Sequence, residues 1–172
     1  KISEYGVFKG KKRIAARDEE AFFKIFGLDF IPPEMREDRG EIAAAANGTL
    51  PTLVTEKDIK GLLHVHTNWS DGMADMPTMI KSAKERGYAY ISITDHSQSA
   101  FYAKGLSVDR LKQQISEIAG LNKKRMGIRV LAGSEVDILP DGKLDYEDDL
   151  LSKLEVVVAA VHSNFGMKPD EM

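Results

Sequence analysis

Cysteine is absent from these 172 residues. Neither disulfides nor thiolate ligands are therefore available, and any metal must be held by nitrogen and oxygen donors. Long apolar runs are also missing. None approaches the roughly 20 residues that cross a bilayer, and no secretory signal pattern opens the chain, so a cytoplasmic protein without a membrane partner is expected. Charge of one sign is not in excess either, since 24 Lys and Arg against 27 Asp and Glu leave a net −3. An autonomous nucleic-acid binder neutralises phosphates with surplus cations. Any DNA contact here has to come through a local patch or through metals. Repeats and low-complexity tracts are lacking as well. What remains is a globular composition, 42% hydrophobic and 30% charged, in a chain long enough for one real core and a small appendage. It opens at Lys1 inside an already patterned segment and stops at Met172, soon after an expected strand, and so reads as a piece of a longer protein.

Two regions differ in character. Residues 4–18 alternate around a Gly-containing basic turn, the pattern of a β-hairpin. Asp18 is placed to cap a helix over 19–26 that Gly27 ends, and Phe22, Phe23 and Phe26 give that helix an apolar stripe read as packing. Ile31-Pro32-Pro33-Glu34 is rigid and extended, and residues 36–48 form a polar turn running into an alanine-rich helix. The basic cluster Lys9-Gly10-Lys11-Lys12-Arg13 has the charge to touch phosphates, but it is read as a solvated hairpin tip. Residues 49–58 are a connector. From Ile59 onward a β–α rhythm predicts parallel strands. Runs at 61–66, 88–96, 128–135 and 155–162 alternate with a helix capped by Asp75 and one running from about Ser107 to Arg125, then a turn at Asp141-Gly142 and a short acidic helix. The expected architecture is α/β: part of a β/α barrel or a related open array.

All four histidines stand at or just past the end of one of those apolar runs. Parallel strands present their C-terminal ends on one face, so His64, His66, His96, Glu135 and His162 should converge there, with Asp71 added by the loop after the first run. His64 and His66 are two apart, which on a strand puts both on the same face. Glu135 has two oxygens with which to bridge cations. Imidazoles and carboxylates gathered this way suit a polynuclear site for borderline-hard divalent metals. Asp95, adjacent to His96 and pointing the other way, is expected to hydrogen-bond a histidine from behind. Asp137, on the face of Glu135, is a second candidate for such support. No cysteine and no persuasive Ser-His pair is at hand to serve as nucleophile.

HVHTNWSDG (64–72), ITDH (93–96), GSEVDI (133–138) and AAVHS (159–163), in this order, resemble the first motifs of the PHP (polymerase and histidinol phosphatase) domain. SEYGVF (3–8) and GLDFIPPEMREDRGEI (27–42) resemble the end of the thumb of a bacterial or archaeal family X DNA polymerase joined to its C-terminal PHP domain. The implied division is thumb end over 1–48, linker over 49–58 and the N-terminal part of the PHP domain over 59–172. The resemblance implies a distorted (β/α)7 barrel holding up to three zinc or manganese ions that hydrolyses DNA phosphodiesters, as 3′–5′ exonuclease and abasic-site processing in DNA repair. Carried over by motif, His64 and His66 with bridging Glu135 hold the first ion, Glu135 and His162 the second, Asp71 and His96 the third. The family's later ligands, a histidine and an Asp-x-His pair, are expected beyond Met172. The polymerase aspartates, with their magnesium, are expected before Lys1, so the piece alone is expected to be inactive. A histidinol-phosphatase-like enzyme and a purely structural module are the competing readings.

Overall fold

In the first unit of the computed structural model, Lys1–Val54, alternation around a tight turn gives a small antiparallel sheet. The structure describes residues 2–3, 6–14, 16–163 and 165–166. Strands β1 (Ile2–Ser3), β2 (Gly6–Lys9) and β3 (Lys12–Ile14) lie in that order. Val7 faces Ile14 and Lys9 faces Lys12 across the turn, where Gly10 takes φ +63°. Residues 4, 5 and 15 of the expected hairpin lie outside the described residues. Lys9, Lys11, Lys12 and Arg13 are all exposed. Helix α1 (Glu19–Ile25) begins where Asp18 accepts the Ala21 N–H at 2.8 Å, a cap worth about 1 kcal/mol. Its phenylalanines pack edge to face, and Phe23 also meets Phe30. Arg36 covers the rings of Phe23 and Phe30 and pairs with both carboxylate oxygens of Glu19 at 3.1 Å. Helix α2 (Glu41–Asn47) ends at Gly48 in the left-handed region.

The second unit, Thr55–Met172, carries the β–α rhythm. Strands β4 (Gly61–Leu62), β5 (Tyr90–Ile93), β6 (Arg129–Asp137) and β7 (Val156–Ala160) form one sheet in that order. Every pairing in it is parallel. Between the strands run α3 (Met76–Glu85), capped by Asp75, α4 (Val108–Lys123), capped by Ser107, and the short α5 (Asp148–Leu151). Ile80, Ala83, Ile118 and Leu121 from α3 and α4 pack on Ile91, Ile93 and Val130 of the sheet. A second cluster joins Leu106, Leu111, Val136, Tyr146 and Leu150.

The sheet curls because its strands are staggered. β6 pairs with β5 through residues 129–132 and with β7 through residues 133–137. Such a stagger, with His96 past β5 still opposite Glu135, inclines successive strands, as closure toward a barrel requires. It happens at Gly133, where a Cβ would sit 2.7 Å from Ser92 Oγ and 2.9 Å from the Val156 carbonyl oxygen. Mixed α/β architecture with a curled parallel sheet agrees with the expectation from the sequence.

One strand differs. The run at 61–66 pairs as a strand only through Leu62. Beyond it the Val65 N–H donates to Thr94 Oγ1 at 2.8 Å, and the Val65 carbonyl accepts from the Thr94 N–H at 2.8 Å. The segment stays beside β5, but a side-chain hydroxyl replaces half of the ladder. No described helix is long and apolar enough to cross a membrane.

Candidate metal centre

The strand ends deliver six donors to one place. Glu135, in the last third of β6, is 6% exposed and faces four imidazoles. Its Oε2 lies 3.3 Å from His64 Nε2, 3.1 Å from His66 Nε2 and 3.1 Å from His96 Nδ1, and its Oε1 is 3.3 Å from His162 Nε2. Asp71 reaches back from its loop to His66 Nδ1 at 2.9 Å and to His96 Nε2 at 3.6 Å. The donors sort into three groups, each with its ligand atoms within 4.8 Å of one another: His64, His66 and Glu135; His66, Asp71 and His96; His96, Glu135 and His162. All six residues singled out from the sequence are thus brought together. The sharing differs slightly from the motif-based assignment, because His66 and His96 each belong to two groups.

Electrostatics favours cations here. Burial, and the charge of His66 next, hold the His96 imidazole below its ordinary value, which favours the neutral form that ligates a metal. Its Nδ1 is buried and makes no hydrogen bond, although Glu135 lies beside it. A buried nitrogen without a proton partner, aimed at a carboxylate among further imidazoles, is what a divalent cation satisfies and water-excluded protein does not. For Asp71, burial opposes the charged form. The hydrogen bond to His66 and the nearby His96 and His66 outweigh it and hold the carboxyl below its ordinary range. His162 is raised, first by its hydrogen bond to Asp137. With Nδ1–H donated to Asp137 Oδ1 at 2.7 Å, Nε2 is left facing Glu135.

Asp137 therefore holds the His162 ring from behind. Asp95, expected to hold a histidine in this way, does not. Its fully buried carboxylate accepts from Thr67 N, Thr67 Oγ1, Ser70 N, Ser70 Oγ and Gln114 Nε2 at 2.5–3.3 Å. The side chain points away from the imidazoles, across the sheet, and ties down the 67–70 turn that carries Asp71. Residue alternation predicted the direction but not the partner. Gln114, which completes this network, was legible as a polar residue inside the apolar stripe of Leu111, Ile115 and Ile118 on α4. The loop residues Ser99, Phe101 and Tyr102 gave no periodic signal. Ser99 Oγ donates to Asp137 at 3.1 Å, and the Tyr102 ring lies 6.1 Å from that of His96.

Comparison with known proteins agrees with this geometry. The model of the DNA polymerase beta thumb matches residues 1–37. A DNA polymerase/3′-5′ exonuclease PolX of Bacillus subtilis is 44% identical over 169 residues, which is 96% of this chain and 29% of that protein. A probable phosphatase of Syntrophotalea carbinolica is 29% identical over 70% of this chain and 47% of its own length. A probable phosphatase of a Thermoanaerobacter species is 32% identical over 44% of this chain and 36% of its own length. The chain thus spans under half the length of these relatives. The model of the PHP domain matches residues 63–167, which include all six clustered donors. By that match, the chain belongs to the PHP domain family.

Proposed function

We propose that residues 59–172 are the N-terminal part of a distorted (β/α)7 metal-dependent phosphoesterase domain that hydrolyses DNA phosphodiesters at 3′ ends. In this reading residues 1–48 are the end of a polymerase thumb and 49–58 the linker, within a cytoplasmic DNA-repair enzyme. His64, His66, Asp71, His96, Glu135 and His162 are its metal ligands in this chain. The observation that carries the reading is Glu135, a buried carboxylate within 3.3 Å of four imidazoles. Three overlapping donor groups suit up to three zinc or manganese ions.

Bound divalent cations would supply Lewis acidity, activating water and neutralising charge on the phosphoryl oxygens. The chain's own residues prepare for this. Glu135 offers one oxygen to His162 and the other to the remaining three imidazoles, so it can bridge neighbouring ions. Asp137 fixes the His162 ring and directs Nε2 inward. Asp95 anchors the turn that delivers Asp71. Such support from behind commonly controls ligand geometry.

The thumb-like segment and the PolX relative, 44% identical, favour a DNA substrate. The probable phosphatases favour a small phosphomonoester instead. Hydrolysis of a 3′-recessed duplex and of histidinol phosphate should be compared in the protein that carries this chain, before and after His64→Ala. We expect nucleotide release from the duplex, reduced by two or more orders of magnitude in the variant. Undiminished release after the substitution, or cleavage of histidinol phosphate alone, refutes the DNA reading.

A further inference from the structure

The β5–α4 loop holds two large aromatic side chains in water, and one of them, Tyr102, stands at the rim of the donor cluster. Phe101 is 86% and Tyr102 71% exposed. Exposed aromatics usually sit on mobile tips, but this loop is closed and pinned. Its ends meet where the Leu106 N–H donates to the His96 carbonyl at 2.8 Å and Ser97 pairs with Leu106. Gly105 passes so near Ser97 that a Cβ would fall 1.8 Å from its carbonyl oxygen. Ala100 and Ala103 are buried inside the loop. The Ser99 N–H donates to Asp145 at 2.6 Å, Tyr146 donates to the Leu106 carbonyl at 2.5 Å, and Arg110 holds the Lys104 carbonyl at 3.1 Å. Small residues face in and aromatics face out, on a frame that fixes where they stand.

That place is specific. The Tyr102 ring is 6.1 Å from the His96 ring and 6.3 Å from the His162 ring. A phosphodiester seated on the donor cluster carries its base one sugar away, within reach of this rim. The chain has no surplus of cations to grip a DNA backbone, at net −3, so beyond the donor cluster's own hold on a phosphate, affinity for a strand end gains from a source other than phosphate neutralisation. Stacking on an aromatic ring is the other general source, and it accepts any base because each has a π-face.

We propose that Phe101 and Tyr102 form a stacking platform for the 3′-terminal nucleobase of the DNA strand presented to the donor cluster. The inference rests on the DNA reading above, but it is tested by binding, without turnover. In the protein that carries this chain, affinity is measured for a phosphorothioate-linked oligonucleotide ending in 2-aminopurine and for one ending in an abasic tetrahydrofuran. The wild type should bind the base-bearing end about ten- to a hundredfold more tightly, with quenched 2-aminopurine fluorescence. Tyr102→Ala and Phe101→Ala should reduce that ratio toward one while leaving affinity for the abasic end unchanged. Tyr102→Phe should keep both the ratio and the quenching. Equal affinities in the wild type overturn the platform, as does a ratio that survives both alanine variants. So does equal weakening of both oligonucleotides together with a lowered melting temperature, which marks the rings as packed against protein. Failure of the hydrolytic reading looks different: the base preference persists, while unmodified DNA is not cleaved and His64→Ala changes nothing.

Discussion

Asp95 offers the sharpest test of how the fold supports the donor cluster. Five donors converge on its carboxylate. Thr67 N, Ser70 N and Ser70 Oγ reach Oδ1, and Thr67 Oγ1 and Gln114 Nε2 reach Oδ2. Asp95, Thr67 and Gln114 are completely buried. Asp95→Ala leaves these donors without an acceptor. The two hydroxyls can turn elsewhere, Ser70 Oγ toward Asp71 at 3.4 Å for example. The Thr67 N–H and the Gln114 amide cannot reach water. Each stranded buried donor costs about 1–3 kcal/mol, so a loss of about 3–5 kcal/mol is expected, a large fraction of the 5–15 kcal/mol that holds a typical domain.

Asp95→Asn should cost much less, about 1–2 kcal/mol. The shape is kept and Oδ1 still accepts. The Gln114 Oε1, buried without a partner, can turn to accept from the new amide. Urea unfolding followed through Trp69, the sole tryptophan, measures both variants from within the turn that Asp95 secures. A loss below about 1 kcal/mol in Asp95→Ala, or equal losses in the two variants, refutes the argument. A second consequence is chemical. With the 67–70 turn released, Asp71 should drift from His66 and His96, and metal uptake at that group should weaken even in Asp95→Ala protein that stays folded.

Three further outcomes follow from the same coordinates. Glu135→Gln removes the carboxylate shared by two donor groups but spares His66, Asp71 and His96. Its bound metal, read by plasma mass spectrometry, should therefore fall further than in Asp71→Asn, and equal losses would contradict the sharing. Gly133→Ala should destabilise the second unit by about 1–3 kcal/mol, because the new methyl meets the Val156 carbonyl at 2.9 Å, and a neutral effect on the urea midpoint would argue against the close approach. In metal-free protein the raised His162 contributes stability fully below its ordinary value of 6.5 and loses it as pH rises through the folded-state value. Asp137→Asn should accordingly lower the His162 pKa seen by NMR, and its stability deficit should be larger near pH ~5.5 than near pH ~8.

The cluster was legible because β/α arrays impose a simple geometric rule. An imidazole or carboxylate just past a parallel strand end, on the inward face of the array, is directed to one common place. The helix caps Asp18 and Asp75 were legible for a similarly local reason, since a short polar side chain before an amphipathic run answers the free N–H groups of the first turn. Other features depend on partners remote in sequence. The first run loses its ladder after Leu62 because Thr94, about thirty residues on, supplies a hydroxyl where a carbonyl would pair. Asp95 was read as support for a histidine because it adjoins one. Its partners come instead from the loop after the first strand and from α4.

The stagger of the sheet explains why the donors meet at all. β7 joins β6 at Gly133 while the chain just past β5 keeps its register, with His96 opposite Glu135, so the Glu135 side chain leaves the strand between the β5 end on one side and β7 on the other. Glu135 is thus flanked by His96 on one side and by Val158, four residues before His162, on the other. A glycine that admits the close approach of Ser92 and Val156 thus sets the height of the one acid that all four imidazoles share.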